Sequence, residues 1–270
     1  MKATVLVDNL GVENMDGEWG LSIYIEYNGK NILLDAGASS LFVENAFKLG
    51  VDLASVDFAV LSHAHYDHGN GMEDFFHANK KAQFFVRSAC QENCYKLEEG
   101  EYKYIGIPEG ILAAYPKRIT MAEGRVELAE GITLLPHTTA GLSTIGEREQ
   151  MYLKEEGCYR PDDFAHEQSL VFATPKGLVV FNSCSHGGAD NIVREVEEAF
   201  PGQKVYGLIG GFHLFNKTEA EVRAFAQRLR EKGVQHIVTG HCTGEAAYGM
   251  LAEALGDKLE QLRVGLVMEF

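Results

Sequence analysis

The chain has 270 residues, 46% hydrophobic and 23% charged, an ordinary globular composition with enough length for a sizeable core. A formal charge of −15 and the lack of any Lys/Arg-rich block argue against a nucleic-acid surface, whose binding is driven by phosphate neutralisation. No apolar run reaches the roughly 18–20 residues of a membrane span, and the opening MKATVLVDNLGVENMDGEW lacks the apolar stretch of a secretory signal, so no membrane partner and a cytoplasmic location are expected.

The five cysteines (Cys90, Cys94, Cys158, Cys184 and Cys242) are odd in number, which with the missing signal speaks against a disulfide framework. Cys90 and Cys94 have no second cysteine pair in range and read as reduced structural thiols. Ala3–Val7 is an apolar, β-rich segment. Leu21–Tyr27 alternates, Asn28-Gly29 supplies a two-residue hairpin signal, and Asn31–Asp35 returns. Ser39–Leu49 has helical spacing and stops at Gly50. Phe58–Leu61 is a short buried strand.

That strand runs into SHAHYDHGNG, residues 62–71. His63, His65, Asp67 and His68 fall within six positions. Neutral imidazole and carboxylate are the ligands that zinc and other first-row divalent ions prefer. On an extended backbone His63 and His65 leave the same face, and Asp67 and His68, after the turn, can face a second ion. A lone histidine here would be an ordinary surface or hydrogen-bonded residue; four ligands at one strand end point to a metal.

Residues 92–165 are the least regular part, with short strands only near Arg125–Leu128 and Ile132–Leu135. Residues 137–165 read as a long excursion, and such segments are often lids or binding loops. Tyr102, Tyr104, Tyr115, Tyr152 and Tyr159 fall in this middle stretch and can either stack on a flat ligand ring or fill satellite packing. Beyond it, Leu170–Thr174 and Leu178–Asn182 flank Pro175-Lys176-Gly177 as a hairpin. Helices are expected over Ala189–Phe200, Lys217–Lys232 and Gly244–Leu255, and strands over Lys204–Ile209, His236–Thr239 and Leu262–Met268. His241 follows a strand and precedes a helix, the same grammar as the first cluster. His213 follows Gly210-Gly211, a pair that lets backbone approach a ligand; it is a candidate substrate-orienting or acid/base group, with a core or capping role equally open. His77, His137 and His236 lack a motif and read as structural.

HAHYDH after a buried strand resembles the HxHxDH signature of the metallo-β-lactamase superfamily. The set SHAHYDHGNG, HEQSLVF, NSCSHGG, GGFHL and TGHCTG is similar to the branch of 7,8-dihydropterin-6-methyl-4-(β-D-ribofuranosyl)aminobenzene 5′-phosphate synthase-like metallo-hydrolases, across nearly the whole chain. The resemblance implies an α/β (α+β) four-layer αββα sandwich, which the order of elements also fits; no linker stands out, so one domain over 1–270 is expected. It implies further ligands from separate strand ends. His63, His65 and His166 are then expected at a first ion and Asp67, His68 and His241 at a second. Cys184 or His186 stands at the junction, where most relatives carry aspartate, and both remain open.

The expected activity is that of a metal-dependent hydrolase with two zinc ions, manganese or iron also fitting, and a metal-bound hydroxide as nucleophile, with Asp67 as ligand and water orienter. The resemblance suggests a small anionic substrate, a phosphate ester or pterin-like molecule. A transferase joining a dihydropterin to an aryl ribose phosphate, and a non-catalytic metal-containing ligand sensor, are the alternatives. A di-iron redox role is disfavoured, since those relatives carry Glu at the position of His65.

Overall fold

In the computed structural model, which describes residues 1–270, Asn28 and Gly29 take φ of +48° and +71°. This left-handed pair suits a two-residue hairpin, and it joins Ser22–Tyr27 to Lys30–Leu34 in the register Ile23↔Leu34 to Tyr27↔Lys30. The hairpin seeds a seven-stranded sheet whose spatial order is Val267–Glu269, Lys2–Val7, Ser22–Tyr27, Lys30–Leu34, Phe58–Val60, Gln83–Arg87, Ile119–Ala122. From Lys30–Leu34 onward its strands run parallel.

A second seven-stranded sheet runs Leu259–Gln261, His236–Thr239, Val205–Gly210, Gly177–Phe181, Gln168–Thr174, Ile132–Pro136, Val126–Ala129. Its first four strands are parallel. Alternation along the strands sorts the side chains into layers. Ile23, Ile25, Ile32 and Leu34 of the first sheet meet Val179, Phe181, Ile209 and Val238 of the second in one buried cluster. The opposite faces, Tyr24, Leu33 and Ala59 on one side and Leu178, Val180, Leu208 and Ile237 on the other, pack outward. Helices Leu41–Lys48 and Met72–Ala78 cover the first sheet; Ala189–Ala199, Glu219–Glu231 and Glu245–Leu255 cover the second. The result is the αββα sandwich. No helix is long and apolar enough to cross a membrane.

Two sequence expectations change. The middle of the chain is not an irregular excursion. Cys94–Glu98, Glu101–Tyr104, Met151–Glu155 and Cys158–Pro161 form a third, four-stranded antiparallel sheet. Its tyrosines are occupied with one another: Tyr102 stacks on Tyr159 at 3.6 Å and meets Tyr152 edge-on at 5.3 Å, and Tyr104 meets Tyr95; Tyr115, outside this sheet, lies on Phe76. Short polar strands that bury only one face give weak periodicity, which hid them. Leu262–Met268 also is not one strand. Gly265, at φ +77°, turns the chain, and only Val267–Glu269 pairs, while Leu259–Gln261 closes the second sheet.

Candidate metal centre

The site gathers at the C-terminal ends of parallel strands, where the chain leaves each sheet. Phe58–Val60 leads into His63–His68, Gly177–Phe181 into Asn182–His186, Val205–Gly210 into His213, and His236–Thr239 into His241. Both sheets therefore empty into one place. Several turns there are tight enough to put Asp35, Ser185, His213 and His241 at positive φ, a conformation that non-glycine residues hold only where the surroundings over-determine it.

His65, Cys94, Asp162 and His166 form one group of donors within 4.8 Å of one another. Two further sets are as tight, His63, His65 and His186, and Asp67, His68 and His241. Cys184 lies between them, in reach of His63 and His68 on one side and of His241 and Cys242 on the other, with its Sγ 3.3 Å from His68 Nε2. All these residues are buried. The sequence reading places His166 in the first set and leaves His186 or Cys184 open at the junction. In the structure His186 joins His63 and His65. His166 lies on the far side of His65, where its Nδ1 accepts the Ala64 N–H (3.2 Å) and its Nε2 donates to Asp162 (3.0 Å), beside Cys94.

A shell of partners fixes the ring orientations. Ser62 donates its N–H to Asp35 Oδ1 (2.7 Å) and its hydroxyl to Oδ2 (2.8 Å), and so accepts from His63 Nδ1 (2.9 Å). His68 Nδ1 donates to the same Asp35 Oδ2 (2.8 Å). His241 Nδ1 donates to Asn9 Oδ1 (3.1 Å), and its backbone N–H donates to Asp8 Oδ1 (3.1 Å). Each of these three imidazoles thus has its outward nitrogen tied as a donor and its Nε2 turned inward, where an ion would take the place of any proton on it. The sequence reading missed Asp8, Asn9, Asp35 and Ser62; the signal for Asp35 was an acid ending an apolar strand, ILLDAG.

The inward atoms fit a cation and little else. His63 Nε2, His65 Nε2 and both nitrogens of His186 are buried without a hydrogen-bond partner, a costly arrangement unless something electropositive satisfies them. His68 Nε2 faces His241 Nε2 at 3.2 Å, and Asp67 Oδ2 stands 3.3 Å from His241 Nε2. Electrostatics follow the same division. Burial, then neighbouring imidazoles, holds His63 and His186 well below the usual histidine range and takes His65 down to about 3, so these rings are neutral, the form a metal ion would need. His68 resists burial because Asp67 and Asp35 flank it, and it is pushed up to about 10. Asp67 is ionised despite burial, with His68 and His241 beside it. Five imidazoles, a carboxylate and a thiol form a donor set suited to zinc or another first-row divalent ion.

Two cavities meet at the centre. One, of about 400 Å³, opens to solvent between Trp19, Tyr66, Ile105, Met151 and Phe215 and has Asp67 and Cys184 in its floor. Trp19 and Phe215 meet edge-on at 5.7 Å; the aromatic rim is theirs, not that of the tyrosines the sequence singled out. The other, of about 570 Å³, lies behind His186 and His213. His213 has both nitrogens unbonded, rests on His186 at 4.5 Å between ring centroids, and places Nε2 3.8 Å from Glu149 Oε2. Gly210 and Gly211 serve protein packing there: an added side chain would meet the Asn182 carbonyl at 1.9 Å at the first and Cys242 Sγ at 2.4 Å at the second.

Under the loop that carries His186 lies a buried ionic chain. His137 joins Glu167 (2.7 Å) to Glu195 (2.9 Å), and Glu167 accepts the His186 backbone N–H at 3.3 Å. Burial disfavours its charge, but Glu167 and Glu195 raise His137 to about 10.

Residues 18–147 match the family described as the metallo-beta-lactamase superfamily. A protein of Methanocaldococcus jannaschii, named 7,8-dihydropterin-6-methyl-4-(beta-D-ribofuranosyl)-aminobenzene-5′-phosphate synthase, is 31% identical over 274 positions, covering 93% of this chain and 90% of the relative. The chain belongs to the metallo-β-lactamase superfamily. Among solved structures of that superfamily, Tm1679, described as a metal-dependent hydrolase, superposes with a TM-score of 0.81 at 27% identity, over 100% of this chain and 99% of that one. YhfI from Bacillus subtilis, a metallo-β-lactamase fold protein, gives 0.59 at 13% identity over 99% of each chain and shares the fold. The HAHYDH signature thus lies within the segment that the superfamily model matches, and the likeness to the synthase-named relative extends over the donors of the second half.

Proposed function

We propose that the protein is a two-ion metallo-hydrolase acting on a small anionic substrate, a phosphate ester foremost. The observation that carries this reading is the pairing of two buried, inward-facing donor sets around Cys184 at the floor of an open cavity. His63, His65 and His186 would hold one ion and Asp67, His68 and His241 the other, with zinc the first choice for such ligands. Bound at these donors, a divalent ion supplies Lewis acidity and makes water acidic enough to ionise near neutral pH.

The chain's own residues do the rest. Asp67, ionised and held between His68 and His241, accepts a hydrogen bond from the attacking water and orients it. Asp35 and Ser62 keep His63 and His68 in a single tautomer and rotamer, so the donors need no rearrangement. His213, with a free nitrogen beside His186, is placed to give a proton to the departing oxygen. Trp19, Phe215 and Met151 line the mouth and offer an apolar wall to the body of the substrate.

The test is a rate assay of metal-loaded protein against a panel of phosphomonoesters and phosphodiesters, with the chelator-treated protein as control. Zinc-dependent release of phosphate or alcohol supports the reading; no turnover of any ester with any of zinc, manganese or iron rejects it. The name of the Methanocaldococcus jannaschii relative favours a second reading, a transferase that joins a dihydropterin to an aryl ribose phosphate. That activity would appear only when both substrates are present.

A further inference from the structure

Behind the donor sets lies the 570 Å³ cavity, whose wall is shared with the metal centre through His186 and His213. We propose that this cavity is the subsite for a phosphate group of the substrate that is not itself attacked; the proposal rests on the hydrolase reading above and names the part of the substrate that the second cavity takes.

Three observations converge on a bound oxyanion. The helix Ala189–Ala199 begins at Gly188 with no side-chain cap, so its first-turn N–H groups face outward at the positive end of the helix dipole. Gly187, Gly188, Asp190 and Asn191 of that turn line the cavity. His213, only 8% exposed and with both ring nitrogens unbonded, faces the same space. Both nitrogens of this buried imidazole lack a partner, so while one serves the departing oxygen the other can donate to an oxygen of a second phosphate.

The charged side chains complete the argument by what each has left to offer. Three acids line the cavity, and each is already engaged. Glu149 is bound by Lys217, by Asn216 (2.6 Å) and by Arg148 (3.1 Å). Asp190 holds Arg228 at 2.7 Å. Glu221 closes a capping box with Thr218. The bases are not used up in the same way. Arg148 and Arg228 meet their acids through Nε alone, leaving both terminal nitrogens of each guanidinium free, and Lys217 keeps further N–H donors. In a chain of net charge −15, this cavity holds three basic side chains, two acids paired to them and a third acid held in a capping box, and beside them a helix N-terminus and an unbonded histidine offer an anion free N–H donors.

The experiment is a calorimetric titration of the full-length protein with inorganic phosphate, run on zinc-loaded and on chelator-treated samples. Phosphate binding that survives chelation supports the proposal, because the ions cannot then be the ligand's only partners. Lys217→Gln is expected to weaken that binding about tenfold. Since Lys217 also holds buried Glu149, a second variant on an exposed wall position guards against misfolding: Ala224→Glu should weaken phosphate at least tenfold through charge, and Ala224→Gln should not. Binding that disappears with the zinc, or that is indifferent to both Lys217→Gln and Ala224→Glu, overturns the proposal. Neither readout requires turnover, so an enzyme inactive on every ester would reject the hydrolase reading while leaving the phosphate measurement interpretable.

Discussion

Asp35 and His68 meet at 2.8 Å, fully buried, and the same carboxylate takes both the N–H and the hydroxyl of Ser62, which in turn holds His63. One aspartate from the end of a strand thereby sets two of the centre's imidazoles, one in each donor set. Asp35→Asn is expected to lower zinc affinity about 10–100-fold, the usual cost of losing an outer-shell partner, measured by competition with a chromophoric chelator. Unchanged affinity would show that His63 and His68 are held by other means.

His186→Ala and His166→Ala separate two histidines that lie on either side of His65. His186 has both nitrogens free, whereas His166 is bonded at both. Elemental analysis should find about one ion fewer per chain in His186→Ala, and wild-type content in His166→Ala, which loses thermal stability instead. The reverse result would move the first ion to the His166 side.

Asp67→Asn should abolish ester hydrolysis while leaving the far-ultraviolet circular dichroism unchanged. An amide is a poor ligand and cannot accept a proton, and losing such a group typically costs on the order of 100-fold or more in rate. A fully active variant would remove Asp67 from the reaction.

The ionic chain through His137 predicts a pH window. His137 is raised to about 10 by Glu167 and Glu195 against its burial, so its stabilisation is whole below its unfolded value near 6.5 and fades as the pH climbs to 10. Glu195, carried down to about 2 chiefly by His137 despite burial, contributes above its own unfolded value and loses that as the pH falls towards 2. The urea midpoint of His137→Gln should lie well below wild type at pH 6, and the gap should narrow by pH 10. A gap that is constant across this range would assign the loss to packing, not charge.

Gly211→Ala tests the close approach of the two strand ends. The added carbon meets Cys242 Sγ at 2.4 Å, and overpacking of this kind costs about 1–3 kcal/mol. A lowered melting temperature is expected; an unshifted one would mean the 211 and 242 segments separate freely.

The donors were legible because metal ligation needs particular side chains at strand ends. SHAHYDHGNG places four of them together in sequence, and the strand-then-histidine pattern marked His241. The different settings of His166 and His186 were beyond the pattern, since Asp162 and Ala64 bond the first and no protein atom bonds the second. Most of the supports were hidden for the same reason: Asp8 and Asn9 act on a residue far along the chain, His241, and only Asp35, an acid ending an apolar strand, carried a signal. In the fold, strands buried on both faces announced themselves by apolar runs, as in Gly177–Phe181, whereas the half-exposed strands of the third sheet carried glutamates, lysines and tyrosines that resemble a loop.

The donor set is divided between the halves of the chain, with His63, His65, Asp67 and His68 on the exit of the first sheet and Cys184, His186 and His241 on the exits of the second. Neither half owns a complete coordination sphere. During synthesis the amino-terminal half leaves the ribosome holding only part of a chelate, and ion capture must wait until the last parallel strands have folded against it. An ion held there would tie the exits of both sheets together over the apolar cluster that already packs them, so chelation should loosen the two sets of exit loops at once and speed proteolysis there while the sheets stay packed.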